Sequence, residues 1–304
     1  MSTLDRAVAR LLPAVPKEIV RRLSSPYIAG PTLDDAVRVV RRLGAEGKMA
    51  TIDVLGEEVS SAAEAEEIHA QYREVLARID GDGLDANISV KLSGLGLRLD
   101  EALCRSQLGS LVADARARGI FVRIDMEDSG TTDATLRLYR ELRSVGRTNV
   151  GVVLQSCLRR TARDAVGLEN VRLCKGIYAE PIALAHHDPD EVRASFLEAL
   201  DVLFDQGSYV GVATHDEVLI DAALHRIRER GLAASEVEFQ MLLGVRPERG
   251  DALVRAGQRL RIYVPFGTHW YEYSVRRLQE NPKIAGYVAA DALRRFRPAV
   301  RRGG

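Results

Sequence analysis

Short β-branched runs and longer segments of helical period alternate eight times along this chain. The runs span residues 50–55, 86–92, 121–126, 150–156, 171–177, 209–215, 237–242 and 260–266. Continuous apolar stretches such as 150–154 suit strands buried on both faces. Strand then helix, repeated throughout, predicts an α/β fold with a parallel sheet. Eight repeats within 304 residues match a closed (β/α)8 TIM-type barrel. An open doubly wound sheet is the alternative. Helix punctuation agrees. Ser61 and Glu64 have capping-box spacing and open a helix whose Ala65, Ile68, Tyr72, Val75 and Ile79 share one face. Thr32 opens another helix, which runs through Leu43 and is closed by Gly44. Gly119 and Gly146 have the same role before the third and fourth strands. Residues 1–45 read as a helical arm and 46–304 as the barrel, with a closing helix over 284–298.

Composition narrows the function classes. Lys plus Arg and Asp plus Glu both number 43, so the net charge is zero and a basic nucleic-acid binder is not expected. No apolar run approaches the ~18 residues of a membrane span. Cys104, Cys157 and Cys174 are few, odd in number and widely spaced, which argues against a disulfide framework and for a reducing cytoplasm. Arg10 interrupts the apolar stretch at the N-terminus, so a signal peptide is not expected.

Catalysis in a barrel sits at the C-terminal ends of the strands. Polar residues stand inside or at the end of all eight runs. They are Asp53 and Glu57; Lys91; Asp125 and Glu127; Gln155; Arg172, Lys175 and Tyr178; Thr214 and His215; Glu238 and Gln240; and Tyr263. Interior charges are costly unless paired, so these residues predict an ion-pair network or a polar ligand in the barrel mouth. Beyond the eighth run, Tyr273, Arg276, Arg277 and Glu280 share one helical face. Two adjacent arginines suit a small carboxylate. Their spacing alone does not distinguish a clamp from a solvated basic face. Other patterns carry less. Leu99 occupies the third glycine position after Gly94-Leu95-Gly96, so a dinucleotide fingerprint is incomplete. His186-His187-Asp188 lies in a Pro-containing connection with no partner motif for a metal, and no metal site is expected.

Six motifs in order resemble the flavin-dependent proline dehydrogenases in their short monofunctional bacterial form. They are Ser89-Val90-Lys91-Leu92-Ser93, Arg123-Ile124-Asp125-Met126-Glu127, the run Arg172 to Tyr178, Ala213-Thr214-His215, the run Arg261 to Gly267, and the Tyr273–Glu280 helix. The resemblance covers residues 45–285 and leaves no room for an added aldehyde dehydrogenase domain. It implies a distorted barrel that holds FAD at the strand ends, with the last helix over the mouth. It also implies oxidation of L-proline to 1-pyrroline-5-carboxylate, a hydride passing from C5 to the flavin N5, and electrons going on to a quinone. A separate pyrroline-5-carboxylate dehydrogenase is a candidate partner. Membrane contact, if any, would be peripheral, at the inner face.

By the same resemblance Arg276 and Arg277 clamp the proline carboxylate with help from Lys91. Tyr263, Tyr178 and Leu173 enclose the ring. Arg172 lies near the flavin N5, with Gln155 at the same edge, and Asp125 belongs to the catalytic network. Met126, Lys175, Gly176, Ile177, Thr214 and His215 line the FAD. Glu57 gates the pocket by pairing with Arg276, and Glu280 steadies the arginines. Two positions depart from the family pattern: Ile177, where alanine is usual, and Cys157, where an aromatic is common. Two other readings of the residues remain. One is an aldolase using Lys91 or Lys175 as a Schiff-base amine. The other is a non-enzymatic partner protein that uses the arginine helix as its interaction face.

Overall fold

A computed structural model of the chain describes residues 17–56, 59–271 and 273–275. Eight parallel strands close into a barrel in sequential order. They are β1 (Met49–Val54), β2 (Ala86–Val90), β3 (Val122–Ile124), β4 (Val150–Gln155), β5 (Asn170–Cys174), β6 (Tyr209–Ala213), β7 (Val237–Leu242) and β8 (Leu260–Phe266). The doubly wound alternative is thereby excluded, because β1 pairs with both β2 and β8.

Helices α1 (Lys17–Ser24) and α2 (Leu33–Ala45) precede the first strand. Then α3 (Ala62–Gly81), α4 (Glu101–Ala117), α5 (Thr132–Ser144), α6 (Thr161–Ala165), α7 (Pro189–Asp205), α8 (Glu217–Arg230) and α9 (Pro247–Arg255) connect successive strands. In α3 the apolar face read from sequence is buried, with Leu76 added to it. The reciprocal capping box forms at Thr32 and Asp35. At α3 only half of one forms, because the Glu64 carboxylate accepts from the Ser60 N–H and not from that of Ser61. The α2 helix runs through Gly44, and Gly47, at φ +72°, takes the left-handed position expected of Gly44.

The arm is woven into the barrel. Helix α2 packs on β1 and β8, covering the seam where the barrel closes. In a regular barrel the helix after β8 takes that place. Here the described residues after β8 turn to the end of β1 instead. Tyr273 packs with Leu55, at the end of β1, and with Ile28 of the arm, and Trp270 leans on the three. The Ala29 N–H donates to the Pro265 carbonyl at 2.9 Å, and the Gly267 N–H to the Gly30 carbonyl at 3.1 Å. The helix that covers the seam thus precedes the barrel in sequence.

Two sets of strand residues alternate. Ile52, Ile88, Val90, Val122, Ile124, Val152, Leu154, Val171, Val210, Val212, Phe239 and Val264 are fully buried and face the helices. The opposite set points along the barrel axis and is polar: Asp53, Ser89, Arg123, Arg172, Glu238, Gln240 and Arg261. Their register is consistent, with Asp53 beside Ser89, Ser89 beside Arg123, and Gln240 beside Arg261. Glycines make room for the long members. A Cβ on Gly151 would fall 2.4 Å from Arg123 Nη1, and one on Gly211 would fall 2.5 Å from Gln240 Nε2.

Candidate active site

The C-terminal ends of the strands gather a closed ring of hydrogen bonds. Asp125, just past β3, is its hub. Its Oδ1 accepts from Arg172 Nη1 at 2.7 Å and from the Ser89 hydroxyl at 2.6 Å. Its Oδ2 accepts from the Tyr263 hydroxyl at 3.2 Å. Lys91 donates to the Tyr263 oxygen at 3.3 Å and to both oxygens of Asp53, at 2.9 and 2.8 Å. Asp53 is fully buried, so its charge depends on that lysine. The Tyr72 hydroxyl, reaching in from α3, donates to the Ser89 carbonyl at 2.7 Å and lies 3.2 Å from Asp53 Oδ1. On the other side, Arg172 Nε donates to Gln240 Oε1, and the Arg172 guanidinium lies 5.5 Å from the Tyr263 ring centre.

Two consequences follow for proton chemistry. Burial pushes the Tyr263 phenol well above its ordinary range, and the neighbouring Asp53 charge adds to the effect. Tyr263 therefore stays a phenol that donates a hydrogen bond. Burial, with Asp53 again the next cause, does the same to Tyr72. Both Asp125 oxygens accept hydrogen bonds, and Tyr263, kept as a phenol, is not a base. Lys91, doubly bonded to a buried carboxylate, is held as an ammonium and not as a nucleophilic amine, which removes support from the aldolase reading. Lys175 is also paired, with Asp216 at 3.2 Å.

The remaining residues expected at the site divide into three groups. The first lies at the mouth. Gln155 is buried, and its Nε2 donates to the Glu127 carbonyl at 2.8 Å. Thr214 accepts the Asp216 N–H at 3.1 Å. His215 Nε2 accepts the Leu242 N–H at 3.0 Å, which fixes the neutral tautomer protonated at Nδ1. Lys175, Gly176, Ile177 and Tyr178 lie beyond the end of β5, and Met126 follows Asp125 beyond β3. The first six strands end one to three residues earlier than the sequence runs suggested, while β7 and β8 end where they were read, so most of these motif residues sit on the loops after the strands. The second group is a correction. Leu173 is fully buried and out of phase with the inward Arg172, so it packs toward the helical layer and does not reach the mouth. The third group, Glu57, Arg276, Arg277 and Glu280, lies outside the described residues.

Reading from sequence placed Asp53 and Gln240 among the strand-end residues without assigning them a role, and gave none to Ser89 or Leu242. Leu242 is in phase with Gln240 and pairs in register with Tyr263, so it faces the mouth. The signal was available as period-two runs of polar residues: Ser89 and Lys91, Arg123 and Asp125, Glu238 and Gln240.

The mouth has features that fit a flavin. Arg172 Nη2 is buried with no hydrogen-bond partner. Gly176 sits at φ +96°, and a Cβ there would fall 2.4 Å from Cys157 Sγ, so bare backbone is presented beside Gln155. Lys175, 44% exposed, offers a charge at the rim. Burial raises the pKa of its partner Asp216, but hydrogen bonds from Arg193 and Lys175 outweigh that and hold the carboxyl below its ordinary value.

Comparison with known proteins is consistent with this geometry. The family model described as Proline dehydrogenase matches residues 36–290. The chain is 36% identical over 273 residues to Proline dehydrogenase 1 of Bacillus subtilis subsp. natto, covering 88% of this chain and 90% of that one. It is 33% identical over 280 residues to Proline dehydrogenase of Deinococcus radiodurans, covering 90% of each. Among solved structures, proline utilization A (PutA) of Bdellovibrio bacteriovorus superposes with a TM-score of 0.80 at 22% identity, over 90% of this chain. That likeness shows the shared barrel fold, and this chain spans 36% of the PutA chain's length.

Proposed function

The chain belongs to the proline dehydrogenase family, and on that premise we propose that it oxidises L-proline to 1-pyrroline-5-carboxylate by hydride transfer to FAD, with a quinone as final acceptor. The observation that carries the reading is the ring around Asp125, which fixes Arg172 at the mouth with one buried N–H group unpartnered.

Bound FAD would supply a hydride acceptor at its N5. The chain's own residues do the rest. Lys91 is anchored by Asp53, and its N–H now on the Tyr263 oxygen is the one a substrate carboxylate would take. Arg276 and Arg277 complete that clamp in this reading, with Glu57 gating and Glu280 supporting them. Tyr263, Tyr178 and Leu242 wall the pyrrolidine ring and exclude water, orienting C5. Asp125, Ser89 and Gln240 hold Arg172 so that its positive charge stands where negative charge develops on reduction. Met126, Gln155, Lys175, Gly176, Ile177, Thr214 and His215 line the cofactor. The amine proton leaves to solvent before the hydride does, since Tyr263 stays protonated and Asp125 is occupied in holding Arg172, Ser89 and Tyr263. No described helix is long and apolar enough to cross a membrane, so a quinone would be met at the membrane surface. Hand-over to a separate pyrroline-5-carboxylate dehydrogenase belongs to the same reading.

The test is an anaerobic titration of the purified FAD-loaded protein with L-proline, followed by its visible spectrum. Bleaching of the flavin is expected. A flavin that stays oxidised overturns proline as substrate, and a protein that retains no FAD after reconstitution overturns the cofactor.

A further inference from the structure

The opposite end of the barrel holds a second polar cavity, of about 180 Å³. It lies among the N-terminal starts of the strands, on the far side of the Gln240–Arg172 layer from the mouth. Arg123, Arg259 and Arg261 line it, with Asn87, Tyr209 and Glu238. Three cations thus face a single lining carboxylate. That carboxylate is already saturated. Glu238 Oε1 accepts from Arg261 Nε at 2.8 Å and from Gln240 Nε2, and its Oε2 accepts from the Tyr209 hydroxyl at 2.7 Å. The exposed Asp85 acts on Arg261 from the rim.

Carbonyl groups take several of the guanidinium donors, with Arg123 Nη1 on the Val152 and Asn170 carbonyls at 3.0 and 2.9 Å, its Nη2 on Asn170 Oδ1, and Arg261 Nη1 on the Ala50 carbonyl at 2.7 Å, but these acceptors carry no counter-charge. Arg123 is 2% exposed, and its Nε has no partner. Arg259 and Arg261 both direct Nη2 at the thioether of Met49, each at 3.2 Å, and a thioether sulfur is a weak acceptor. Among the described residues no carboxylate pairs with Arg259. Asn87 Oδ1 is buried and unpartnered, and the amide turned over would present an N–H instead. Burial, and then the repulsion of Arg172, push the Arg123 guanidinium down to about 9, as expected of a buried cation short of counter-charge.

We infer that this cavity is an anion site, built for a small tetrahedral oxyanion of the phosphate class, held by Arg123, Arg259 and Arg261. Glu238 and its partners form the floor that separates the anion from Arg172. Guanidinium forks bind such oxygens in pairs, and the cavity accommodates an ion of that size.

Inorganic phosphate is the probe. The FAD-loaded protein is titrated with it at constant ionic strength, with chloride as the control, and the melting temperature and binding heat are read. Phosphate is expected to bind and raise the melting temperature where chloride does not, with the KM for proline unchanged. Arg259→Gln, which removes only the Met49 and Tyr209 contacts, should weaken phosphate binding about tenfold. Asn87→Asp is nearly isosteric. It should raise the phosphate-free melting temperature by supplying the missing charge and should abolish the phosphate effect. Phosphate that competes with proline, acts no better than chloride, or stabilises both variants as it does the parent overturns the site. Flavin bleaching by proline is read separately, so failure here is distinguishable from failure of the dehydrogenase reading.

Discussion

The two ends of the barrel interior are both lined with charge, but they balance it differently. Among the described residues of the ring at the mouth, each cation has a carboxylate: Lys91 pairs with Asp53 and Arg172 with Asp125. Tyr263 joins the two pairs through one hydroxyl, which accepts from Lys91 and donates to Asp125. At the far end three arginines line a cavity with one carboxylate, Glu238, which bonds to Arg261. Gln240 links the ends. Its oxygen accepts from Arg172 and its amide N–H donates to Glu238, which fixes its orientation. Matched pairs hold their side chains still and leave chosen N–H groups free, which suits a site that orients a substrate. An excess of one sign suits a site that waits for an ion.

The largest way to break the comparison is to unbalance the mouth. Lys91→Met removes the cation that bonds both oxygens of the buried Asp53 and should cost about 3–5 kcal/mol in urea unfolding. Adding Asp53→Asn should recover much of that loss, and a double-mutant cycle showing no recovery would mean the pair does not carry the stability. Arg172→Met should slow proline-dependent flavin reduction by about 10²–10³-fold in stopped flow, as removal of a positioned charge does elsewhere. Retention of the parent rate would remove Arg172 from the chemistry.

Smaller changes act on the link and on the far end. Gly211→Ala places a Cβ against the Gln240 amide and should cost about 1–3 kcal/mol by overpacking. A slower flavin reduction should accompany it, because Arg172 then loses its partner. Glu238 gives a pH test. Burial raises its pKa, but Arg261 and the hydrogen bonds outweigh that and hold it below the ordinary 4.5. Its stabilisation is therefore fully present above about pH 5 and lost as pH falls through the lowered folded value. Glu238→Gln should flatten that acid limb of the stability curve, and an unchanged limb would assign the acid sensitivity to another carboxylate. Tyr263→Phe is the mildest change and should cost about 1 kcal/mol. The rate profile should keep its shape up to about pH 10, because a buried phenol does not titrate there.

The sequence made the fold legible because its signals are local. Every strand lies within a segment of β-branched or apolar residues, and the α3 face follows from a spacing of three and four. Strand ends were less legible. Asp125 and Lys175 stand past the ends of β3 and β5, although each keeps one backbone bond to the neighbouring segment, Asp125 N–H to the Val90 carbonyl and Cys157 N–H to the Lys175 carbonyl. Leu173 shows the limit of carrying a role over by motif. It neighbours Arg172 in sequence and faces the other way, which the twofold alternation of a strand could have shown.

What the sequence by itself determined is the eightfold alternation, the polar period-two stripes and the motifs that mark the family, all set by neighbours a few residues apart. Only the tertiary structure decided which charges meet. Lys91 and Tyr263 are 172 positions apart, and Arg172 and Asp125 are 47 apart. It also decided that α2 covers the barrel seam while Tyr273, after β8, packs at the end of β1, and that the far-end arginines outnumber the carboxylate they face. These are consequences of closure. Joining β8 to β1 brings eight distant strand ends around one axis, and charges confined there must pair with whatever faces them.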